Sequence, residues 1–116
     1  MPLMHEMSLI ESVVALVEDE RRKQDFSRVR VIRLAVGVLG HAEPAALHFC
    51  FDVATRGTIA EGARLEIEQV SGAGWCASCR QTVSLCERFA ACPVCGDTQV
   101  RMTAGGELRL SELEVE

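Results

Sequence analysis

No apolar run in this chain exceeds the five residues of Val13–Val17, far short of the ~20 that carry a helix across a bilayer. The N-terminus also lacks the basic-then-apolar order of a secretory signal, so a cytoplasmic protein without a membrane segment is expected. Positive charge is scarce as well: 12 Lys and Arg stand against 17 Asp and Glu, a formal charge of −5. Nucleic-acid binding ordinarily needs a basic footprint, and this deficit argues against it as the main role. Internal repeats, low-complexity stretches, a phosphate-cradling glycine loop and a nucleophile–base pair are all missing, which leaves no candidate catalytic residue. With 116 residues the chain is about one domain's worth, burying roughly two-thirds of its unfolded surface.

What is present is local pattern. Ser8 followed by Glu11 is a capping-box pair, each side chain able to satisfy an orphan N–H at a helix start. Ile10, Val13, Val14 and Val17 then fall on one helical face, and charge from Glu18 to Lys23 brings the helix to the surface near Gln24. Val29 to Val36 alternates as a strand with Ile32, Leu34 and Val36 on one face, closed by Gly37 and Gly40. Pro44 suits the first turn of a second helix, with Leu47, Cys50, Phe51 and Ala54 inward and Gly57 as its stop. Arg64 to Val70 reads as a second strand, and the tail, Glu107 to Glu116, as a third that returns to the same sheet. Its phase changes between Leu110 and Leu113, which predicts a bulge or bend.

Ser71-Gly72-Ala73-Gly74 and Gly105-Gly106 read as boundaries around a cysteine-rich insertion. The expected organisation is therefore α+β. Two helices on a three-stranded sheet, from residues 1–70 plus 107–116, carry an inserted module over residues 71–106.

Within that insertion, Cys76-x2-Cys79 and Cys92-x2-Cys95 are separated by twelve residues. Two residues between cysteines let one tight turn bring both sulfurs to one metal, and a second turn can face it. Tetrahedral zinc, bound at ~2.3 Å from each thiolate, is the natural occupant of such a ribbon. Pro93 fixes the second turn and Gly96 tolerates a positive φ after it. Two disulfides would need an oxidising compartment, and a redox Cys-x2-Cys ordinarily opens a helix in a βαβ setting. The bare spacing also admits an iron–sulfur cluster, which the ribbon spacing disfavours. Four thiolates leave no open position, so the zinc is expected to be structural, stabilising a module too small for a core of its own. Counting the thiolates and the ion takes the chain from −5 toward −7. Cys50 reads as a small core residue, and Cys86 fits no second knuckle.

His5 permits two readings from the residues alone. One is a solvated side chain in a mobile terminus. The other is chelation: a histidine second in a chain offers the terminal amine, its own amide nitrogen and its imidazole, a nitrogen set suited to Ni²⁺ or Cu²⁺. His41 and His48 are expected to be solvated.

Met4-His5-Glu6-Met7-Ser8-Leu9, Glu43-Pro44-Ala45-Ala46-Leu47, Thr55-Arg56-Gly57-Thr58 and the two Cys-x2-Cys pairs, taken in order, resemble the HypA/HybF nickel metallochaperones of [NiFe]-hydrogenase maturation. The resemblance covers nearly the whole chain and implies a nickel-binding α/β domain with an inserted zinc ribbon. It implies His5 as the nickel ligand, with Glu6 contributing through its backbone and its carboxylate as a further candidate donor. It further implies Ni(II) as cargo, the maturation GTPase HypB and the hydrogenase large subunit as partners, and urease maturation factors for some relatives; a homodimer is a further candidate assembly. In the family the methionine before the histidine begins the chain, whereas here Met1-Pro2-Leu3 precede Met4. The competing function is a zinc-ribbon adaptor bridging proteins or nucleic acid. Arg80, Arg88 and Arg101 against Glu87 and Asp97 give its module a charge of +1, or −1 with a zinc tetrathiolate, a poor match for phosphate.

Overall fold

The computed structural model describes residues 2–116, with side chains from His5 onward. The elements are α1 (Pro2–Lys23), β1 (Val29–Gly37), a single 3-10 turn (Val38–Gly40), α2 (Pro44–Ala54), β2 (Arg64–Val70), β3 (Gly72–Cys76), β4 (Gln81–Leu85), β5 (Val100–Ala104) and β6 (Leu108–Val115). They build two three-stranded sheets, ordered β2-β1-β6 and β4-β3-β5. The expected α+β class, with two helices and a three-stranded sheet whose third strand is the tail, is what the chain forms.

One expectation is corrected at the start. Ser8 does not cap α1, because the helix begins at Pro2. Proline is well suited there: its missing N–H is one that the first turn leaves unbonded in any case. Ser8 is thus interior, its carbonyl accepting the Ser12 hydroxyl at 3.1 Å, and His5 and Glu6 lie within the helix rather than ahead of it. The buried stripe of α1 then runs Glu6, Ile10, Val13, Val17, at the i, i+4, i+7 spacing of one helical face. Extending the helix backwards is what places a glutamate on its core side. Arg21, Arg22 and Lys23 close the last turn, where cations complement the helix dipole.

The chain divides into two compact units, one of residues 1–34, 42–67 and 110–116, the other of residues 35–41 and 68–109. In the first, Ile10, Val13 and Val17 of α1, Leu47, Cys50 and Phe51 of α2, and Val29, Ile32 and Leu34 of β1 are buried. Burial of such side chains contributes roughly 1.5–3 kcal/mol each before entropy is set against it. α2 starts after Glu43 with Pro44 in its first turn, as the sequence predicts. Beyond it, Thr55-Arg56-Gly57-Thr58 is a stapled turn. The Thr55 hydroxyl donates to the Phe51 carbonyl at 2.7 Å, the Thr58 hydroxyl to the Thr55 carbonyl at 2.7 Å, and Gly57 takes φ +77°. β6 runs antiparallel to β1: the Ser27 N–H meets the Glu116 carbonyl at one end and the Gly37 N–H the Glu107 carbonyl at the other, both at 2.8 Å.

In the second unit, β3 pairs antiparallel with both β4 and β5, with a register irregularity at Ala73/Gly74 on the β5 side. Within the expected boundary Ser71–Gly74, Ser71 separates β2 from β3, and β3 already begins at Gly72. Gly72 and Gly74 serve close packing: a Cβ on Gly72 would lie 2.4 Å from the Leu85 carbonyl oxygen, and one on Gly74 2.7 Å from Val100. The core of this unit is Leu39, Cys76, Val83, Leu85 and Cys92, with Cys79, Ala90 and Val100 against it. Leu39 comes from the 3-10 turn after β1, outside the cysteine-rich stretch. It is fastened there twice, its N–H to the Gly105 carbonyl at 2.8 Å and its own carbonyl to Arg88 Nε at 2.7 Å.

Candidate metal centres

The two cysteine pairs come from two turns of one design. In the first, Cys76 ends β3, and the chain turns so that the Arg80 N–H reaches the Cys76 carbonyl at 2.8 Å, with Arg80 at φ +56°. In the second, the Gly96 N–H reaches the Cys92 carbonyl at 2.8 Å, with Gly96 at φ +79°. The expectation of a positive φ at Gly96 is met. The corresponding residue of the first turn is an arginine in the same conformation, which L side chains adopt at a cost.

These turns bring the Sγ atoms of Cys76, Cys79, Cys92 and Cys95 within 4.8 Å of one another. Cys76 and Cys95 are 3.6 Å apart and Cys79 and Cys92 3.8 Å. A regular tetrahedron of sulfurs at 2.3 Å from zinc has edges of about 3.8 Å, so the donor set and its spacing fit a four-sulfur zinc site. Backbone N–H groups converge on the sulfurs: Cys79 on Cys76 Sγ at 3.4 Å, and Val94 and Cys95 on Cys92 Sγ at 3.4 and 3.5 Å. The Cys95 and Val94 N–H groups hold the Cys92 thiol down to about 7. The bonded Cys95 thiol, together with burial, pushes Cys79 up to about 12.

Two residues that the spacing does not reveal join the turns. The Ser78 hydroxyl, inside the first, donates to Asp97 Oδ2 beyond the second. Asp97 Oδ1 accepts the Gln99 N–H at 2.8 Å, and its carbonyl accepts the Cys92 N–H at 2.8 Å. The Ser78 hydroxyl, then the Gln99 amide, hold the Asp97 carboxyl below its usual range. Cys86 is exposed and outside the cluster, and Cys50 is fully buried. Burial, and then the Glu6 charge, push the Cys50 thiol up.

At the other candidate centre, His5 is exposed on α1 and Glu6 is 4% exposed. One residue advances a helix by ~100°, which separates their faces. Glu6 Oε2 accepts the N–H of Glu43 at 3.0 Å, while Oε1 has no hydrogen-bond partner among the described residues. The Glu43 residue immediately precedes Pro44, so the carboxylate sits where the α2 dipole favours negative charge. The Glu43 N–H is the main cause holding Glu6 below the usual carboxylate range, against burial. Met1, with its amine, and the Met4 side chain lie outside what the structure describes. His41 and His48 are exposed, as expected.

Residues 4–115 match the sequence profile of a family described as hydrogenase/urease nickel incorporation, metallochaperone, HypA. The chain belongs to the HypA family. A Methylocella silvestris relative, a hydrogenase maturation factor HypA, is 75% identical over 113 residues, covering 97% of this chain and all of the relative. A Rhodopseudomonas palustris protein of the same name is 52% identical over the same shares. The fold is that of the solution structure of the nickel metallochaperone HypA from Helicobacter pylori, with a TM-score of 0.73 at 21% identity, covering 95% of this chain and 96% of that one. Among the described residues no helix is long and apolar enough to cross a membrane. As a member of the HypA family the chain is a maturation factor, carrying nickel as cargo and a structural zinc site of four cysteines.

Proposed function

We propose that this chain binds Ni(II) through His5 and hands it on during [NiFe]-hydrogenase maturation, without catalysing a reaction itself. The observation that carries the reading is the family match across residues 4–115, supported by a 75% identical hydrogenase maturation factor aligned over its full length. His5 presents an exposed imidazole on the first turns of α1, and imidazole suits nickel. Glu6 takes part through its backbone nitrogen, since its carboxylate is buried on the core side of α1 with Oε2 on the Glu43 N–H. A backbone nitrogen inside a helix is committed to a carbonyl four residues back, so nickel loading unwinds the start of α1. The nickel-binding domain is the unit holding α1 and α2. Zinc is held by Cys76, Cys79, Cys92 and Cys95 in the other and is structural, since four thiolates close its coordination.

Delivery requires docking. The partners are the maturation GTPase HypB and the hydrogenase large subunit, in the cytoplasm where thiols stay reduced. Isothermal calorimetry on the zinc-loaded chain tests the site. His5→Ala is expected to abolish stoichiometric Ni²⁺ binding with zinc content unchanged, and undiminished nickel binding in that variant would overturn the assignment. The adaptor alternative draws no support from a formal charge of −5, which disfavours phosphate. Salt-sensitive RNA or DNA binding at physiological ionic strength would restore it.

A further inference from the structure

The two cysteine turns are not supported equally. The first leaves β3 and enters β4, and so is anchored in a sheet at both ends. The second lies between β4 and β5 in a stretch with no helix or strand, residues 86–99. A metal site assembled from one fixed and one unsupported turn loses geometry at the unsupported side, because a loop orders only as far as its bonds reach.

Asp97 supplies those bonds. Its carbonyl accepts the Cys92 N–H at 2.8 Å, closing the second turn on itself. Its Oδ1 accepts the Gln99 N–H at 2.8 Å, fixing the exit toward β5. Its Oδ2 accepts the Ser78 hydroxyl from between the two cysteines of the first turn. One residue therefore holds two backbone N–H groups and one hydroxyl, from three segments around the same four sulfurs. The charge of the carboxylate does not explain its presence. A zinc tetrathiolate carries −2, and a nearby anion is repelled by it. Acceptor geometry is what remains.

We propose that Asp97, through Ser78, is a positioning residue of the four-cysteine centre, clamping the unsupported second turn against the first and slowing zinc release. The inference rests on the zinc reading of that centre. Outer partners of metal ligands change metal affinity by about 10- to 100-fold when removed, so the effect is measurable without touching a ligand.

The experiment uses the full-length zinc-loaded chain, with metal content measured first and zinc release then timed against a chromogenic chelator in excess. Ser78→Ala and Asp97→Ala are each expected to release zinc about tenfold faster. The double variant is expected to be no faster than Asp97→Ala alone, because the Ser78 hydroxyl acts only through that carboxylate. Asp97→Asn keeps an acceptor for the Gln99 N–H and an amide that reaches the Ser78 hydroxyl, so it should stay within about twofold of the parent. Co(II) substitution supplies a readout that general destabilisation does not move: the ligand-field bands should shift in Asp97→Ala and return in Asp97→Asn. Parent-like release in both alanine variants, or multiplicative effects in the double, would overturn the clamp while leaving the zinc reading intact. Fewer than four sulfurs on zinc in the parent, or no zinc, would overturn both. Ser78→Ala removes only a hydroxyl, so the proposal stays testable where Asp97→Ala fails to fold.

Discussion

Glu6 reaches across to the start of α2 and takes the backbone N–H of Glu43 on its Oε2 at 3.0 Å, while its Oε1 is buried without a partner among the described residues. A hydrogen bond to a charged acceptor of this kind contributes about 1.5–3 kcal/mol, and removing one partner leaves the other unsatisfied. Glu6→Ala is therefore expected to lower unfolding stability by about 1–3 kcal/mol, read from urea titrations at pH 7. Glu6→Gln keeps an acceptor of the same shape and should lose less. It should also leave nickel stoichiometry unchanged, because on the proposed reading the carboxylate is no nickel ligand. Loss of nickel binding in Glu6→Gln with normal stability would put the carboxylate in the metal site.

Leu39 leads to a second prediction. It is 1% exposed and packs among Cys76, Val83, Leu85 and Cys92, although it precedes the first cysteine of the ribbon by 37 residues. Truncating such a side chain costs about 2–5 kcal/mol through lost burial and the cavity left behind. Leu39→Ala should therefore weaken zinc retention while every ligand stays in place. Chelator challenge compared with Val38→Ala, an exposed neighbour, checks it. Equal zinc release in the two variants would show that the core does not need the 3-10 turn.

What the sequence revealed and what it hid divide along chain distance. Cys-x2-Cys is a local device: the turn that joins its two sulfurs is written in four residues, and the pairing of two such turns follows from their being alike. The α2 boundaries were legible for the same reason, from Pro44 at one end and Gly57 beyond the other. Glu6 was not, because its role depends on where α1 begins and on an N–H 37 residues away. The capping-box pattern at Ser8 competed with Pro2, and the packed stripe of α1 decided in favour of the longer helix. That Gly72 and Gly74 also serve close packing was not legible, because glycine marks both flexibility and close approach, and only the neighbours in space distinguish them. Asp97 follows a Cys-Gly pair with no pattern of its own, and its partner Ser78 lies in the other turn.

Arg33 carries the pH-dependent prediction. Its Nε bonds Glu66 at 2.7 Å, Nη1 bonds Glu112 at 2.8 Å and Nη2 bonds Glu114 at 2.5 Å, while Arg64 meets Glu66 from the other side at 2.8 Å. The Arg33 guanidinium holds Glu66 below the usual carboxylate range. A carboxylate lowered on folding contributes stability above its unfolded pKa and loses it as pH falls through the folded one. Arg33→Met should thus melt below the parent at pH 7, where three carboxylates are left facing one another. The two curves should converge as pH drops below the ordinary glutamate range. A gap that persists in acid would mean that the arginine acts through packing of its stem instead.

The last prediction separates two glycines that sequence treats alike. Gly57 has φ +77° and nothing within 4 Å of where a Cβ would stand, so Gly57→Ala pays for conformation only, about 1–2 kcal/mol. Gly37 has an ordinary strand conformation, yet a Cβ there would lie 2.1 Å from the carbonyl oxygen of Gly105. Gly105 is itself held by the Leu39 N–H at 2.8 Å, and the Gly37 N–H is bonded to Glu107 at 2.8 Å, so neither segment is free to retreat. Overpacking that only displaces side chains costs about 1–3 kcal/mol, and here the obstacle is backbone. Gly37→Ala is expected to cost about 3 kcal/mol or more and to disturb amide exchange around Gly105, whereas Gly57→Ala should leave that exchange unchanged. Equal destabilisation by the two variants would mean that β1 can bend away from Gly105, and that the contact is permissive rather than required.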